Sequence, residues 1–266
     1  MTTMIKTAAE GVGSQMRDTR VIVKRNLLRI IRLPQLLFFS SVQPIIFLLL
    51  FTYVFGGAIT RGTDLSYIDY LLPGVLVQTA LFGATQTAIG LTEDLSAGVI
   101  DRFRSLPMAR SAVLAGRTTA DLVRNAAVTV IMLTVGVLIG FRLGGTFLEG
   151  VLGVVIALLF GFSFSWVMAA LGLWVKNAEA AQTASFVIVF PLVFASSVFV
   201  PTQTMPGWLQ GFAANQPVSV IADTVRALLG GLPVGTLVWE SLAWIAVILA
   251  VFFPLGVHLY RRAVST

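Results

Sequence analysis

The segment from Glu93 to Pro107 mixes acidic, basic, aromatic and glycine residues between two apolar stretches of the chain. An acidic pair opens it, a glycine allows a turn, and an apolar helical stripe follows beside charged residues. Such a short amphipathic helix, with an aromatic residue and arginines, is suited to dock in a groove of a partner protein. Alternatively, the segment only connects two membrane spans. The candidate contact residues are Glu93, Asp94, Gly98, Val99, Ile100, Asp101, Arg102, Phe103, Arg104 and Leu106.

Three glutamines, Gln43, Gln78 and Gln86, interrupt stretches that are otherwise apolar. A polar side chain is costly in lipid unless it faces protein or a water-filled path. Gln43 precedes Pro44, and Pro191 interrupts a later apolar stretch, so we expect both helices to bend there. Two interpretations stay open. Either Gln43, Gln78, Gln86 and Pro191 line a substrate path, or the glutamines form hydrogen bonds between helices.

The sequence offers few groups for catalysis or for metal binding. It has no cysteine and only one histidine, His258, which excludes thiolate chemistry and a two-histidine metal site. No G-x-x-x-x-G-K-[ST] run is present to cradle phosphates, so the energy for any ATP-driven process must come from a partner chain. We expect no cofactor and no catalytic residue in this chain.

One enzyme interpretation deserves a test, because Gly161-Phe162-Ser163 resembles the serine motif of rhomboid-type intramembrane proteases. Residue 164 is Phe where those enzymes have glycine. Ser163 is expected near mid-membrane and His258 near a helix end, so a hydrogen bond between them is not expected. We expect local helix hydrogen bonds for Ser163 and Ser165 instead.

Composition determines which elements must position these residues. Hydrophobic residues make up 57% of the chain and charged residues 11%, far from the balance of soluble proteins. Several apolar runs approach the length of about 20 residues that a helix needs to cross a bilayer, and they do not alternate as barrel strands do. We predict an all-α integral membrane protein with no internal repeat. Its six spans are expected at 36–57, 70–92, 119–141, 150–175, 183–200 and 239–258.

The net charge of +6 comes from basic residues that cluster in alternate connections, which indicates membrane topology rather than nucleic-acid binding. By the positive-inside rule both termini are cytoplasmic, in agreement with an even number of spans. Residues 15–33 are predicted to form an amphipathic helix on the membrane surface, or to serve only as a topology anchor. Its basic side comprises Arg17, Arg20, Lys24, Arg25, Arg29 and Arg32.

Several short motifs resemble those of type-2 ABC exporter permeases, in particular the daunorubicin-resistance permease group, over nearly the whole chain. They are the acidic pair with Gly98, Asp101-Arg102 and Leu106-Pro107, then Leu114-Ala115-Gly116-Arg117, Asn215-Gln216-Pro217-Val218-Ser219 and Arg226-Ala227-Leu228. Several family members have a glycine-threonine pair and a glutamate where this chain has Gly98-Val99 and Asp101. The resemblance implies an interfacial N-terminal segment (1–35), a six-span domain (36–258) and a cytoplasmic tail (259–266). Within the six-span domain it implies a coupling helix in the loop 93–118 and short outer helices within 201–238.

The resemblance also implies partners. Two copies of a nucleotide-binding ATPase subunit would hold ATP and Mg, and a second permease, identical or closely related, would complete a substrate path lined by spans one, two and five. The expected location is the inner membrane of a bacterium, and the expected substrate is an amphipathic drug, a lipid or a glycolipid. The main rival is an ATP-independent transporter or channel subunit, which would need charged relay groups inside the spans. Asp121 and Arg124 are expected to form an ion pair on one helix face.

Overall fold

A computed structural model of the protein describes residues 34–56, 66–96 and 110–265. Every regular element in these residues is helical, as the composition predicts. Eight α-helices follow one another: α1 (Pro34–Leu50), α2 (Tyr67–Ser96), α3 (Arg110–Leu138), α4 (Phe147–Val175), α5 (Ala178–Phe194), α6 (Gly207–Asn215), α7 (Pro217–Gly230) and α8 (Leu237–Ser265). A π-helical turn, Phe51–Phe55, extends α1, and a 3₁₀ turn, Thr202–Thr204, precedes α6.

Among the described residues, four helices, α2, α3, α4 and α8, are long and apolar enough to cross a membrane. Two apolar helical stretches are shorter, Ser40–Phe55 and Ala178–Phe194. The predicted spans coincide with α1 to α5 and α8, although the helix ends differ by several residues. The largest difference is at the start of the third span, predicted at 119, where the helix begins at Arg110. The fifth span, predicted at 183–200, also differs, because the helix ends at Phe194 and turns follow.

Helix α2 lies at the centre of the fold and packs against α1, α3, α4, α5 and α7. Its most extensive contact is with α4, which in turn packs against α8. Small residues bring α2 and α4 together, because a Cβ atom added at Gly161 would lie 2.8 Å from the Cβ of Ala80. One added at Gly172 would lie 2.7 Å from the carbonyl oxygen of Ala88. These glycines fix the distance between the two helices.

The ends of α4 and α5 are set by local sequence signals. Thr146 and Glu149 form a capping box at the start of α4, in which each side chain accepts a hydrogen bond from the other's backbone N–H. Asn177 caps α5 by accepting a bond from the backbone N–H of Ala180. Lys176 between them has φ 59°, and this left-handed residue reverses the chain within a two-residue connection.

The serine and histidine of the protease interpretation do not meet. Ser163 is buried and donates to the carbonyl of Phe160 at 2.7 Å, and Ser165 donates to Gly161 at 3.0 Å. The predicted local helix bonds are therefore confirmed. His258 is exposed on α8, and no hydrogen bond joins it to Ser163.

Candidate functional site

A cleft of about 430 Å³ lies between α1, α2 and α3, and we call it the α1–α3 cleft. Its apolar wall includes Pro44, Phe82, Ile89 and Val128. Its polar wall comprises Ser40, Gln43, Gln78, Thr79, Gln86, Glu93, Arg117, Asp121, Arg124 and Asn125. All three glutamines singled out in the sequence therefore line one cleft, whereas Pro191 is on α5 and does not line it.

Arg117 of α3 joins the ends of the two helices that precede and follow residues 97–109. Its Nη1 lies 2.9 Å from Oδ2 of Asp94 and 3.0 Å from the carbonyl oxygen of Gly90, both on α2. Its Nη2 lies 3.4 Å from the carbonyl oxygen of Gln86. A Cβ at Gly90 would fall 1.5 Å from Nη2, so only glycine leaves room for the guanidinium against the α2 backbone. The Arg117–Asp94 ion pair is thus built into the close contact between these helices.

A second polar group continues along the same face of α3, one turn deeper. Asp121 accepts a hydrogen bond of 2.6 Å from the Thr87 hydroxyl and forms an ion pair of 3.2 Å with Arg124. This confirms the predicted Asp121–Arg124 pair. Arg124 also donates to the carbonyl of Gly83 at 2.8 Å, and Asn125 donates to the carbonyl of Ala80 at 3.4 Å. These hydrogen bonds and the ion pair satisfy charged and polar groups that would be costly in lipid, and they hold α2 and α3 together.

Gln78 is the one cleft glutamine that is fully enclosed. Its side chain is 2% exposed, and its amide oxygen has no hydrogen-bond partner among the described residues. Gln43 and Gln86 are exposed at the cleft surface. A buried acceptor without a donor costs free energy, so its presence in the cleft wall needs an explanation.

An aromatic strip joins α1 to α5 across the chain. It consists of Phe47, Phe51, Phe55, Phe199, Phe194, Phe190 and Phe186, and the ring centroids of neighbours lie 4.2–6.2 Å apart. Phe199 is buried between the two helices, whereas Phe55, Phe186, Phe190 and Phe194 are exposed. The strip leaves a continuous apolar surface on one side of the chain, suited to lipid, to another protein chain or to an apolar ligand.

The turn that follows α5 is held by side chains from two helices, α2 and α7. Tyr67 donates to the carbonyl of Phe199 and Tyr70 to that of Ser197, each at 2.8 Å. Arg226 of α7 also donates to the Ser197 carbonyl at 2.8 Å, forms an ion pair with Asp223 and lies 3.7 Å from the centre of the Tyr70 ring. These contacts satisfy buried backbone carbonyls that have no helical partner, because the chain is not helical here.

The predicted docking segment lies mostly outside the described residues. Positions 98–106 and the basic residues of 17–32 both fall there. Of the two acidic residues that precede the segment, Glu93 is exposed at the cleft and Asp94 is paired with Arg117.

The roles of Arg117, Asn125 and Thr87 were not recognised from the sequence. A signal for the first two was present, because Arg117, Asp121, Arg124 and Asn125 follow the i, i+4, i+7, i+8 spacing of one helix face. A polar stripe of this kind in an apolar helix indicates a partner helix, but it does not identify that helix.

Comparison with known sequences identifies the family to which this chain belongs. Residues 17–229 match the family described as ABC-2 type transporter. The daunorubicin resistance ABC transporter permease protein DrrB1 of Streptomyces coeruleorubidus is 40% identical over 220 residues, which cover 83% of this chain and 77% of that protein. The probable doxorubicin resistance ABC transporter permease protein DrrC of Mycobacterium tuberculosis is 30% identical, with 84% of this chain and 81% of that protein covered. A putative transport permease of Cyanophora paradoxa is 26% identical, with 80% and 74% covered.

Proposed function

Because this chain belongs to the ABC-2 type transporter family, we propose that it is the membrane-spanning permease subunit of an ATP-driven exporter. A separate subunit binds ATP and Mg and hydrolyses the nucleotide, and two copies of that subunit act on a pair of permease chains. The exporter moves an amphipathic or lipid-like substrate outward by alternating access. The observation that carries the proposal is the family match over residues 17–229, which includes both the cleft and the loop 97–109.

The permease crosses the bacterial inner membrane six times with both termini in the cytoplasm. The distribution of basic residues supports this topology. Helix α5 has 17 residues and is about 26 Å long, somewhat less than the roughly 30 Å of a hydrocarbon core. The buried turn of residues 196–199 completes the crossing, since protein side chains satisfy its backbone.

Coupling to the ATPase runs through the loop 97–109, which joins α2 to α3. The ATPase docks on the amphipathic helix predicted there, and Phe103 is its apolar anchor. The Arg117–Asp94 pair fastens the last turn of α2 to the first part of α3. A push on the loop therefore moves both helices as one body and changes the width of the α1–α3 cleft.

The substrate path lies between two permease chains, and the aromatic strip supplies its apolar surface. Stacked phenylalanines accept planar or lipid-like molecules without fixed hydrogen bonds, which suits a transporter of amphipathic compounds. Two of the relatives are named for resistance to daunorubicin or doxorubicin, both amphipathic drugs. We infer a substrate of the same general class for this chain.

The experiment uses the full chain with an affinity tag, purified from the membranes of its own organism. A nucleotide-binding chain should copurify, and the complex should hydrolyse ATP. Inside-out membrane vesicles should accumulate daunorubicin when ATP is added outside, which is the direction of export. If no nucleotide-binding chain copurifies and the uptake of daunorubicin does not require ATP, the chain is instead the rival ATP-independent transporter.

Phe103→Ala tests the coupling step, with Arg110→Ala as the matched control near the same loop. Loss of a buried aromatic anchor commonly costs about 2 kcal/mol or more of binding, whereas a charge at the rim costs far less. At equal amounts in the membrane, Phe103→Ala should lose most of the copurifying ATPase and Arg110→Ala should retain it. Equal recovery by both variants would place the ATPase contact elsewhere, on the N-terminal basic segment.

A further inference from the structure

The α1–α3 cleft has an apolar wall and a polar wall, and one buried acceptor in its lining lacks a hydrogen-bond partner among the described residues. Gln78 lines the cleft from α2, is 2% exposed, and its amide oxygen has no hydrogen-bond partner among the described residues. The other deep polar groups in the cleft are already engaged, because Arg124 pairs with Asp121 and donates to Gly83. Among the described residues, the Gln78 amide oxygen is the one buried polar atom of the cleft lining that lacks a hydrogen-bond partner, so a donor group of a ligand would satisfy it.

We propose that the α1–α3 cleft is a ligand-binding site within one permease chain. Its ligand is an amphipathic small molecule with an aromatic or aliphatic body and an N–H or O–H group that donates to the Gln78 amide oxygen. None of the aromatic-strip residues lines this cleft, so the site is separate from the apolar path proposed along that strip.

Size and lining agree with this class of ligand. The volume of about 430 Å³ lies within the roughly 300–1,000 Å³ of small-molecule sites. The cleft has both an apolar and a polar wall, which suits a ligand with apolar and polar parts. Phe82, Ile89 and Val128 supply contact surface for the body of the ligand. Arg117 and Arg124 do not attract an anion strongly, because each guanidinium already has a carboxylate partner. A neutral or cationic molecule with a donor group fits best.

Two dyes separate the contribution of the donor from that of the apolar body. Rhodamine 123 carries N–H groups, whereas tetramethylrhodamine methyl ester has the same ring system and ester with N-methyl groups in their place. Binding is measured by fluorescence anisotropy with the full chain in nanodiscs, after subtraction of empty nanodiscs. No ATPase or nucleotide is present, so the result does not depend on the transport function proposed above.

Gln78→Met keeps the side-chain length and removes the acceptor. We expect it to weaken binding of rhodamine 123 by about threefold to tenfold, the usual effect of one hydrogen bond, and to leave the tetramethyl dye unchanged. Gln182→Met, a change at an exposed position of α5 outside the cleft, should leave both dyes unchanged. Equal effects of Gln78→Met on both dyes, or no effect on either, would overturn the proposal.

A second measurement locates the site without changing Gln78. The chain has no cysteine, so Gln86→Cys places a single thiol at the cleft surface. Saturating rhodamine 123 should slow the reaction of this thiol with N-ethylmaleimide at least fivefold, and it should not slow the reaction of Gln182→Cys. If both thiols are slowed equally, or neither is, the dye binds outside the cleft and the proposal fails.

Discussion

Arg117→Met is expected to loosen the contact between α2 and α3 while the helices themselves remain intact. Methionine keeps the unbranched apolar stem but removes the guanidinium. Two close hydrogen bonds of Nη1 are lost, one to Asp94 at 2.9 Å and one to the Gly90 carbonyl at 3.0 Å. The change also leaves the Asp94 carboxylate without its ion-pair partner.

The size of the effect follows from exposure. A hydrogen bond that involves a charged group contributes roughly 1.5–3 kcal/mol. The side chains of Arg117 and Asp94 are 15% and 25% exposed, so water partly rehydrates the carboxylate and reduces the loss. We expect a total destabilisation of about 2–3 kcal/mol, which corresponds to a fall in Tm of about 5–10 °C for a chain of this size.

Fluorescence-detected size-exclusion chromatography after heating measures the Tm of the purified chain. Asp94→Ala and the double variant complete a double-mutant cycle, for which we expect a coupling energy of about 1–2 kcal/mol. Arg261→Met, at an exposed position of α8, is the control and should change stability by less than about 0.5 kcal/mol. If the effects of Arg117→Met and Asp94→Ala simply add, the ion pair does not fasten the two helices and the coupling route proposed above is refuted.

Three further predictions test other parts of the molecule. Gly172→Ala should destabilise the chain by about 1–2 kcal/mol, because its Cβ would meet the α2 backbone. The added Cβ of Gly211→Ala points into open space, so that change should be neutral or should stabilise the chain by up to about 1 kcal/mol. Thermal unfolding compares the two variants, and equal effects would contradict the close α2–α4 contact. Arg226→Met should increase hydrogen exchange in the turn after α5, since the Ser197 carbonyl keeps only the Tyr70 hydroxyl as a side-chain donor, and unchanged exchange would show that the tyrosines suffice. Ser105→Cys should resist an impermeant thiol reagent added to intact cells, whereas Thr204→Cys should react; labelling of Ser105→Cys from outside would reverse the topology.

The sequence alone determined the class of protein and the places of the helices. Composition excluded a soluble fold, and the six apolar stretches coincide with α1 to α5 and α8. The Asp121–Arg124 pair was also predictable, because a spacing of three residues places both side chains on one face of any α-helix. These features depend on local sequence, and helical geometry converts them directly into structure.

The early end of α5 could not be predicted from hydropathy. Residues 195–200 are mostly apolar or small, so they extend the apolar stretch of the fifth span. The chain leaves the helix at Phe194 because Tyr67, Tyr70 and Arg226, far away in sequence, supply donors for the carbonyls of the turn. Without those donors a non-helical backbone would be too costly in a membrane.

The candidate site shows the same division between local sequence and tertiary contacts. The sequence identified Gln43, Gln78 and Gln86 as costly polar groups in apolar helices, but it could not decide whether they face one another, lipid or another helix. Only the tertiary structure gathered them in one cleft with the polar face of α3, and only burial distinguished Gln78 from the other two. The physical reason is that helical periodicity fixes the direction of a side chain relative to its own helix. The partner of that side chain depends instead on how closely another helix approaches, which small residues such as Gly83 and Gly90 permit.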